Sequence, residues 1–286
     1  MPLWASDRVL YDPEVWAGLP AVLERLFDRE LISFALIESL RSRLPRLLGG
    51  IAFIRPEYVA QSRAGQTTLP NAVMGAALEG RNPFLSPREV SEDNARGELH
   101  LWNFFGHMHV IDLSDPELAN FYRTSNEGHR FFHFGYSFRA MWMEVSPLHH
   151  AHELQQLGMH IDRGIPLVGG STATLLRLTR EDALANPYSR FSGYFFPPAP
   201  RFAFSKGEQS LLEYALLNDS DDVAAKELHV SGEAIKKRWR SIYAKIDAVD
   251  PHVLLTAGSG TARRRALIHY LRQHLEELRP YRKRTK

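Results

Sequence analysis

Apolar residues recur at three- and four-residue steps across residues 13–44, and this spacing predicts one long amphipathic helix near the start of the chain. Residues 47–54 and 99–113 form compact apolar runs instead, which indicate strands. Residues 115–117, with the sequence Asp-Pro-Glu, are typical of a helix start. Shorter patterns predict further helices at 71–79 and 149–157 and further strands at 138–145 and 173–178.

The predicted elements divide the chain into three parts. Strands and helices alternate through residues 1–186, which predicts an α/β or α+β domain, with a proline-containing polar loop at 82–97. Residues 187–203 hold four prolines among several aromatic residues. Because proline disfavours both helix and central strand, they are predicted to be a linker that packs on a domain. Residues 204–286 are predicted to form an all-α helix-turn-helix domain with a C-terminal helix.

Residues 204–246 carry the signals of three short helices. Ser205 and Glu208 have the spacing of a capping box at the start of the first helix. Polar and acidic residues at 218–222 end that helix and cap the second, and Ser231 caps the third after a turn at 229–230. A helix, a tight turn and a second helix with cations on one face is how many proteins place side chains in a DNA major groove.

The third of these helices has an apolar face and a cationic face. Ile235, Ile242 and Ile246 lie at seven- and four-residue steps on one face, and lysine and arginine residues fall opposite. Arginine can read guanine edges with two hydrogen bonds, whereas lysine more often contacts phosphate. The predicted DNA-binding residues are Ser231, Lys236, Lys237, Arg240 and Lys245.

Residues 204–246 resemble the helix-turn-helix of LuxR-type (GerE-type) bacterial transcription regulators. The residues that carry the resemblance are Glu208, Leu211, Leu212, Ser220, Ala225, Leu228, Val230, Ser231, Ile235, Lys236, Ile242, Lys245 and Ile246. The resemblance implies that Lys236 and Arg240 contact DNA. Three positions depart from the family pattern: Val223 stands where glutamate is preferred, Arg238 replaces a frequent histidine, and Trp239 is an unusually bulky neighbour. Residues 1–186 lack the motifs of acyl-homoserine-lactone domains and of phosphorylated receiver domains.

A leucine stripe follows the three helices. Leu267, Leu271, Leu275 and Leu278 recur at three- and four-residue steps in a helix predicted to begin near Thr261. This stripe either packs on the rest of the chain or forms the seam of a homodimer.

The charges are unevenly distributed along the chain. Residues 201–286 carry 17 Lys and Arg against 11 Asp and Glu, whereas the rest of the chain carries 18 against 22. A basic tail on an acidic body suggests that the tail meets a polyanion. Without cysteine the protein has no disulfide or thiolate metal site, which fits a cytoplasmic protein. No run of eighteen apolar residues occurs, so no membrane span and no membrane partner are expected.

Histidine and aromatic residues are concentrated in one stretch of the body. His129 and His133 have the spacing that two metal ligands on one helix need, but core or surface pairs are commoner, so neither a metal nor a cofactor is predicted. An apolar pocket with a few polar groups is the usual form of a small-molecule site. The candidate ligand-binding residues are Trp102, His109, Tyr136, Arg139 and Trp142.

These observations predict a two-domain, cytoplasmic DNA-binding transcription regulator that is not an enzyme. Residues 1–186 would bind a small-molecule effector and bias the placement of the helices on double-stranded DNA. Two alternatives stay open. One is an enzyme with a DNA-binding tail, and the other is a ligand-free oligomerisation module fused to a DNA-binding domain.

Overall fold

The chain divides into two compact units in the computed structural model, which describes residues 7–108, 114–146, 148–167, 170–189, 191–218, 220–254 and 260–281. The N-terminal unit contains residues 1–133 and 137–196. The C-terminal unit contains residues 197–286 together with residues 134–136. The division at 196/197 therefore falls inside the segment that the prolines predicted to be a linker.

The N-terminal unit is mixed α/β and is built on a six-stranded sheet with the order β1-β2-β3-β4-β6-β5. Strands β3 and β4 are parallel, and the other neighbouring pairs are antiparallel. A parallel pair needs a long crossover, and a helix supplies it here. The strands are β1 (Ile32–Glu38), β2 (Pro45–Phe53), β3 (Leu99–Met108), β4 (Phe138–Val145), β5 (His160–Pro166) and β6 (Thr172–Thr179).

Seven α-helices of this unit are described, and α5 is the crossover between β3 and β4. They are α1 (Pro13–Asp28), α2 (Pro56–Arg63), α3 (Ala76–Leu78), α4 (Pro87–Arg96), α5 (Leu118–His133), α6 (Leu148–Gln156) and α7 (Arg180–Ala185). A π-helical turn, Asn71–Gly75, leads directly into α3. Within the described residues, no helix is long and apolar enough to cross a membrane.

Both faces of the sheet are covered, and the side chains of strand β4 alternate between the two. Ala140 and Trp142 belong to a large apolar core on one face, which also takes side chains from α1 and α2. Met141 and Met143 alternate with them and point to the opposite face. Helices α5 and α6 contact that second face, where the packing leaves a cavity.

The prediction of one helix across residues 13–44 is wrong beyond Asp28. Glu30 adopts a left-handed backbone conformation with φ of 55°, and the backbone N–H of Leu31 donates to the carbonyl of Leu26, which closes the end of α1. The following residues then pair with β2 as strand β1. Apolar spacing within residues 32–44 suits a helix locally, but the backbone of β2 provides these residues with partners that a local pattern does not show.

The prediction of a loop at residues 82–97 is also wrong. Helix α4 begins after Ser86, whose side chain accepts from the backbone of Glu89 while the Glu89 carboxylate accepts from the backbone of Ser86. Gly97 ends the helix in the left-handed conformation. These are the ordinary signals of a helix start and stop, and polar composition concealed them. Helix α2 and strand β5 were likewise not predicted from the sequence.

The described part of the C-terminal unit is helical. Its helices are α8 (Lys206–Leu217), α9 (Asp221–Glu227), α10 (Gly232–Val249) and α11 (Gly260–Gln273), followed by a 3-10 turn at Leu275–Leu278. Ser205 and Ser231 cap α8 and α10 as predicted. All four leucines of the stripe are buried, and α11 packs on α8, so the stripe serves the core of this unit.

Candidate ligand-binding site

A cavity of about 470 Å³ lies between the second face of the sheet and helices α5 and α6. Most of its wall is aliphatic or aromatic. The apolar lining consists of Phe34, Ala35, Leu36, Ile37, Leu47, Leu48, Ile51, Phe132, Met141, Met143, Leu154, Met159, Leu178 and Phe191. A volume of this size and an apolar wall with a few polar groups are usual for small-molecule sites.

Glycines help to shape the cavity wall. The register of β2 against β3 shifts between Gly49 and Gly50, and both residues line the cavity. A Cβ atom at Gly50 would lie 2.7 Å from the ring of Phe104, so a side chain there would force the two strands apart. On α5, a Cβ atom at Gly128 would meet no protein atom within 4 Å, and this position also lines the cavity. A larger side chain at residue 128 therefore has room to enter open space.

The polar part of the wall is organised by His133, which is buried at the end of α5. Its Nδ1 donates to the backbone carbonyl of His129 at 2.8 Å, because a carbonyl oxygen can only accept. Its Nε2 lies 2.8 Å from the side-chain oxygen of Asn103 on β3. Both ring nitrogens are thus engaged, and the ring is fixed between the helix and the sheet.

His129 lies one turn earlier on α5 and is half-buried at the cavity. Its ring stacks on that of His133 with centroids 4.0 Å apart and an angle of 12° between the planes. The Nδ1 of His129 is 3.0 Å from the hydroxyl of Tyr194, and Phe191 contacts the same ring. The two histidines predicted to share a helix face are therefore brought together, each oriented by a different hydrogen-bond partner.

The geometry of the two histidines differs from that of a shared metal site. Their rings lie parallel, and the Nδ1 atoms face a carbonyl oxygen and a tyrosine hydroxyl. In the part of the chain that the structure describes, no group of three or more histidine, cysteine, aspartate or glutamate side chains is arranged to hold a metal ion.

Of the residues predicted to bind a ligand, the two tryptophans lie on the other side of the sheet from the cavity. Trp102 and Trp142 are neighbours across β3 and β4 and are buried in the core on the opposite face of the sheet. The indole N–H of Trp142 donates to His100, whose pKa is lowered to about 4 by burial and, to a smaller extent, by the charge of Arg139.

The other predicted ligand-binding residues do not line the cavity where they are described. Arg139 is exposed and pairs with Glu181 at 2.7 Å. Tyr136 belongs to the C-terminal unit, where the guanidinium of Arg279 lies over its ring. His109 lies outside the described residues. The cavity is lined instead by residues on β1, β2 and α5 that the aromatic density of the sequence did not single out.

The residues predicted to bind DNA lie in and around α10. Ser231 accepts from the backbone N–H of Ala234 as the helix cap. Lys236 is exposed and pairs with Glu233, and Lys237 and Arg240 are exposed on the same helix. Contact between these side chains and DNA stays an untested prediction.

Lys245 differs from the other cations of α10 because it is tied to the interior of its unit. Its Nζ lies 2.6 Å from the carboxylate of buried Glu208 and also donates to the carbonyl of Ala203. Glu208 accepts a further hydrogen bond from Ser241. These partners lower the pKa of Glu208 against the opposing effect of its burial. Lys245 therefore serves the packing of α8 against α10.

Trp239 also has a structural role that the sequence did not show. Its indole N–H donates to Asp221 of α9 at 3.1 Å, and the side chain is buried. The guanidinium of Arg264 on α11 lies 4.7 Å from the centre of the indole ring and pairs with the same aspartate. Trp239 on α10 thus links α9, α10 and α11.

Comparison with known proteins gave little that resembles this chain. No protein-family model matches it, and no curated protein does. Among solved structures it is similar to FeeM, an N-acyl amino acid synthase from uncultured soil microbes, at 10% sequence identity. That match covers 63% of this chain and 95% of that chain with a TM-score of 0.29. At this TM-score the likeness transfers neither a fold nor an activity.

These comparisons correct the family assignment made from the sequence. No protein-family model matches the chain, so membership of the LuxR-type regulators has no support beyond the local resemblance. The prediction of a DNA-binding transcription regulator is therefore wrong. The prediction that the protein is not an enzyme falls with it, because it rested on the same family assignment. Local agreement of caps and helical spacing over 43 residues was too short a basis for either prediction.

Proposed function

We propose that the N-terminal unit binds a small amphipathic molecule that has an apolar chain and one hydrogen-bonding end, and that it does so in the cytoplasm. The observation that carries this proposal is the cavity of about 470 Å³ with its apolar wall. Four of its polar side chains lie on α5, and Asn103 bonds to one of them. An apolar chain would lie along the strands, and the polar end would face α5.

The proposal is tested by measuring which molecules raise the thermal stability of the protein. A series of straight-chain amides of increasing length is expected to raise the unfolding midpoint in steps, since each buried CH₂ group contributes about 0.8 kcal/mol. The gain should stop when the chain fills the cavity. Native mass spectrometry of the purified protein reports the stoichiometry of the complex and any molecule that remains bound through purification.

A pair of variants at residue 128 links binding to this cavity. Gly128→Leu places a side chain in the open space beside α5, so we expect the amides no longer to raise the unfolding midpoint of this variant. Gly128→Ala adds only a methyl group and should retain most of the rise in midpoint. Both substitutions suit a helix interior better than glycine does, by about 1 kcal/mol. Equal stabilisation of the two variants, or no stabilisation at any chain length, would refute the proposal.

Catalysis on the bound molecule is a second candidate function, favoured by the environment of His129. The Tyr194 hydroxyl orients this ring at Nδ1, and the ring lines the cavity, so its position suits a general base. One such reaction is ester hydrolysis, in which water adds to the acyl carbon and the alcohol leaves with the proton. Hydrolysis of p-nitrophenyl esters of increasing chain length is expected to fall about 100-fold in His129→Asn. His152→Asn, at an exposed position on α6, is the matched control.

A further inference from the structure

The loop between β1 and β2 exposes two leucines next to two arginines. Leu40 is 79% exposed and Leu44 is 63% exposed, and both Arg41 and Arg43 are exposed between them. Residues 40–44 form the hairpin tip. Two largely exposed leucines within one five-residue turn suggest a surface that another molecule covers.

The hairpin tip is held in this form by two residues at its base. The hydroxyl of Ser39 donates to the Glu117 carboxylate at 2.6 Å and accepts from the backbone N–H groups of Arg41 and Ser42. The other oxygen of Glu117 accepts from the backbone N–H of Leu40 at 3.1 Å. These bonds fix the backbone of the tip, so its leucines are presented outward by a defined turn.

The tip lies at the end of the hairpin that borders the cavity. Leu36 on β1 is 52% exposed and also lines the cavity, as do Leu47 and Leu48 on the facing strand. The same hairpin therefore ends in the tip and supplies part of the apolar cavity wall.

The two arginines of the hairpin tip indicate the charge of the partner that would bind there. Arg46, just beyond the tip, pairs with Asp115 at 3.3 Å. Among the described residues, Arg41 and Arg43 have no carboxylate partner. In a two-fold contact between copies of the chain through this tip, the same arginines would face each other and repel. An anionic partner would be attracted to both.

We propose that the hairpin tip docks on an anionic lipid bilayer and that the cavity receives its amphipathic ligand there. The leucines would enter the boundary between headgroups and acyl chains, and the arginines would meet anionic headgroups. The second half of this statement rests on the proposed function, and the docking itself does not. The sequence alone predicted no membrane partner because no run of eighteen apolar residues occurs, but docking on a bilayer surface needs no such run.

The test is co-sedimentation of the full-length protein with vesicles, either of phosphatidylcholine alone or of phosphatidylcholine mixed with phosphatidylglycerol. Binding is expected only to the mixed vesicles and should weaken with added salt. Leu40→Ser with Leu44→Ser should weaken partitioning by roughly tenfold or more. Arg41→Gln with Arg43→Asn should weaken it by roughly fivefold for each arginine. Asparagine is chosen at residue 43 because φ there is 58°.

Two control variants test whether the loss of vesicle binding is specific to substitutions in the hairpin tip. Leu184→Ser removes a leucine that is exposed to the same extent as Leu44, and Arg272→Gln removes an exposed arginine of the C-terminal unit. Both should bind mixed vesicles like the wild type. No binding to mixed vesicles, or equal binding by the tip variants, would overturn the proposal, and so would a dimer in sedimentation velocity that the leucine variant dissociates.

The vesicle assay and the ligand assay fail independently. Vesicle binding is measured without any added ligand, and Gly128→Leu is expected to sediment with mixed vesicles like the wild type. Stabilisation by straight-chain amides is measured without vesicles, and the tip variants are expected to retain it. Loss of the first result alone therefore refutes docking, and loss of the second alone refutes the cavity as a binding site.

Discussion

At the scale of single residues, Glu144 of strand β4 is a buried carboxyl group with a strongly raised pKa. Its side chain is fully buried, and burial raises its pKa to about 7 although Arg163 lies 3.2 Å away and the backbone N–H of Leu69 donates to it. Arg163 also donates to Ser62 and to the carbonyl of Thr67. The arginine thus links strands β4 and β5 to the segment around α2.

The raised pKa of Glu144 makes stability depend on pH. Its ordinary pKa is 4.5, so between about 4.5 and 7 the folded state holds more protons than the unfolded state, and stability falls as pH rises. In urea unfolding across this range, the free energy of unfolding of the wild type minus that of Glu144→Gln should fall by up to about 3 kcal/mol.

The comparison with Glu144→Gln is needed because His100 acts in the opposite direction. Its pKa is lowered from 6.5 to about 4, so its contribution to stability rises with pH between those values. His100 is present in both proteins, and its effect cancels in the difference. A difference that does not change with pH would contradict the assignment for Glu144.

The two lysines Lys245 and Lys237 give a further prediction at this scale. Lys245→Ala leaves the buried carboxylate of Glu208 without its cation and should destabilise the C-terminal unit by about 1–3 kcal/mol. Lys237→Ala changes an exposed side chain on the same helix and should alter stability by less than about 0.5 kcal/mol. Calorimetry of both variants measures this, and equal effects would show that the internal ion pair is unimportant.

At the scale of secondary-structure elements, helix α4 depends on its N-terminal cap. Ser86→Ala removes a side chain that accepts from Glu89 N–H and should cost about 1 kcal/mol. The unfolding transition of the N-terminal unit reports the loss. Ser42→Ala, in an exposed turn, is the control and should change that transition little. An unchanged transition in Ser86→Ala would show that tertiary packing alone holds α4.

At the scale of the whole molecule, the C-terminal unit includes three residues from the middle of the chain. Residues 134–136 contact the 3-10 turn near the C-terminus, and Arg279 donates to the carbonyl of Phe134 at 2.9 Å. Gly135 has φ of 91°, and a Cβ atom there would lie 2.6 Å from the backbone nitrogen of Glu276. This close approach can be made only by glycine.

Gly135→Ala should therefore destabilise the C-terminal unit even though it lies far away in sequence. The left-handed backbone alone costs an alanine about 1–2 kcal/mol, and the contact with Glu276 adds to that. Scanning calorimetry should show a lower midpoint for the transition of that unit. Gly232→Ala, where a Cβ atom meets nothing within 4 Å, is the control. Equal midpoints for the two variants would mean that residues 134–136 do not support the unit.

The sequence by itself determined the elements whose signals lie within about four residues of one another. The capping box at Ser205 starts α8 at Lys206 as predicted, Ser231 caps α10, and the predicted strand at 138–145 is β4. Caps and side-chain periodicity are local interactions, so a short stretch of sequence contains both partners.

Only the tertiary structure decided which elements meet and what lies between them. Residues 32–38 became a strand because β2 supplied backbone partners, and the cavity formed where β2 glycines face α5. Lys245 changed from a predicted DNA contact to an internal ion pair because Glu208 lies beside it. Each of these outcomes depends on residues far apart in the sequence, and a local pattern contains only one of the two partners.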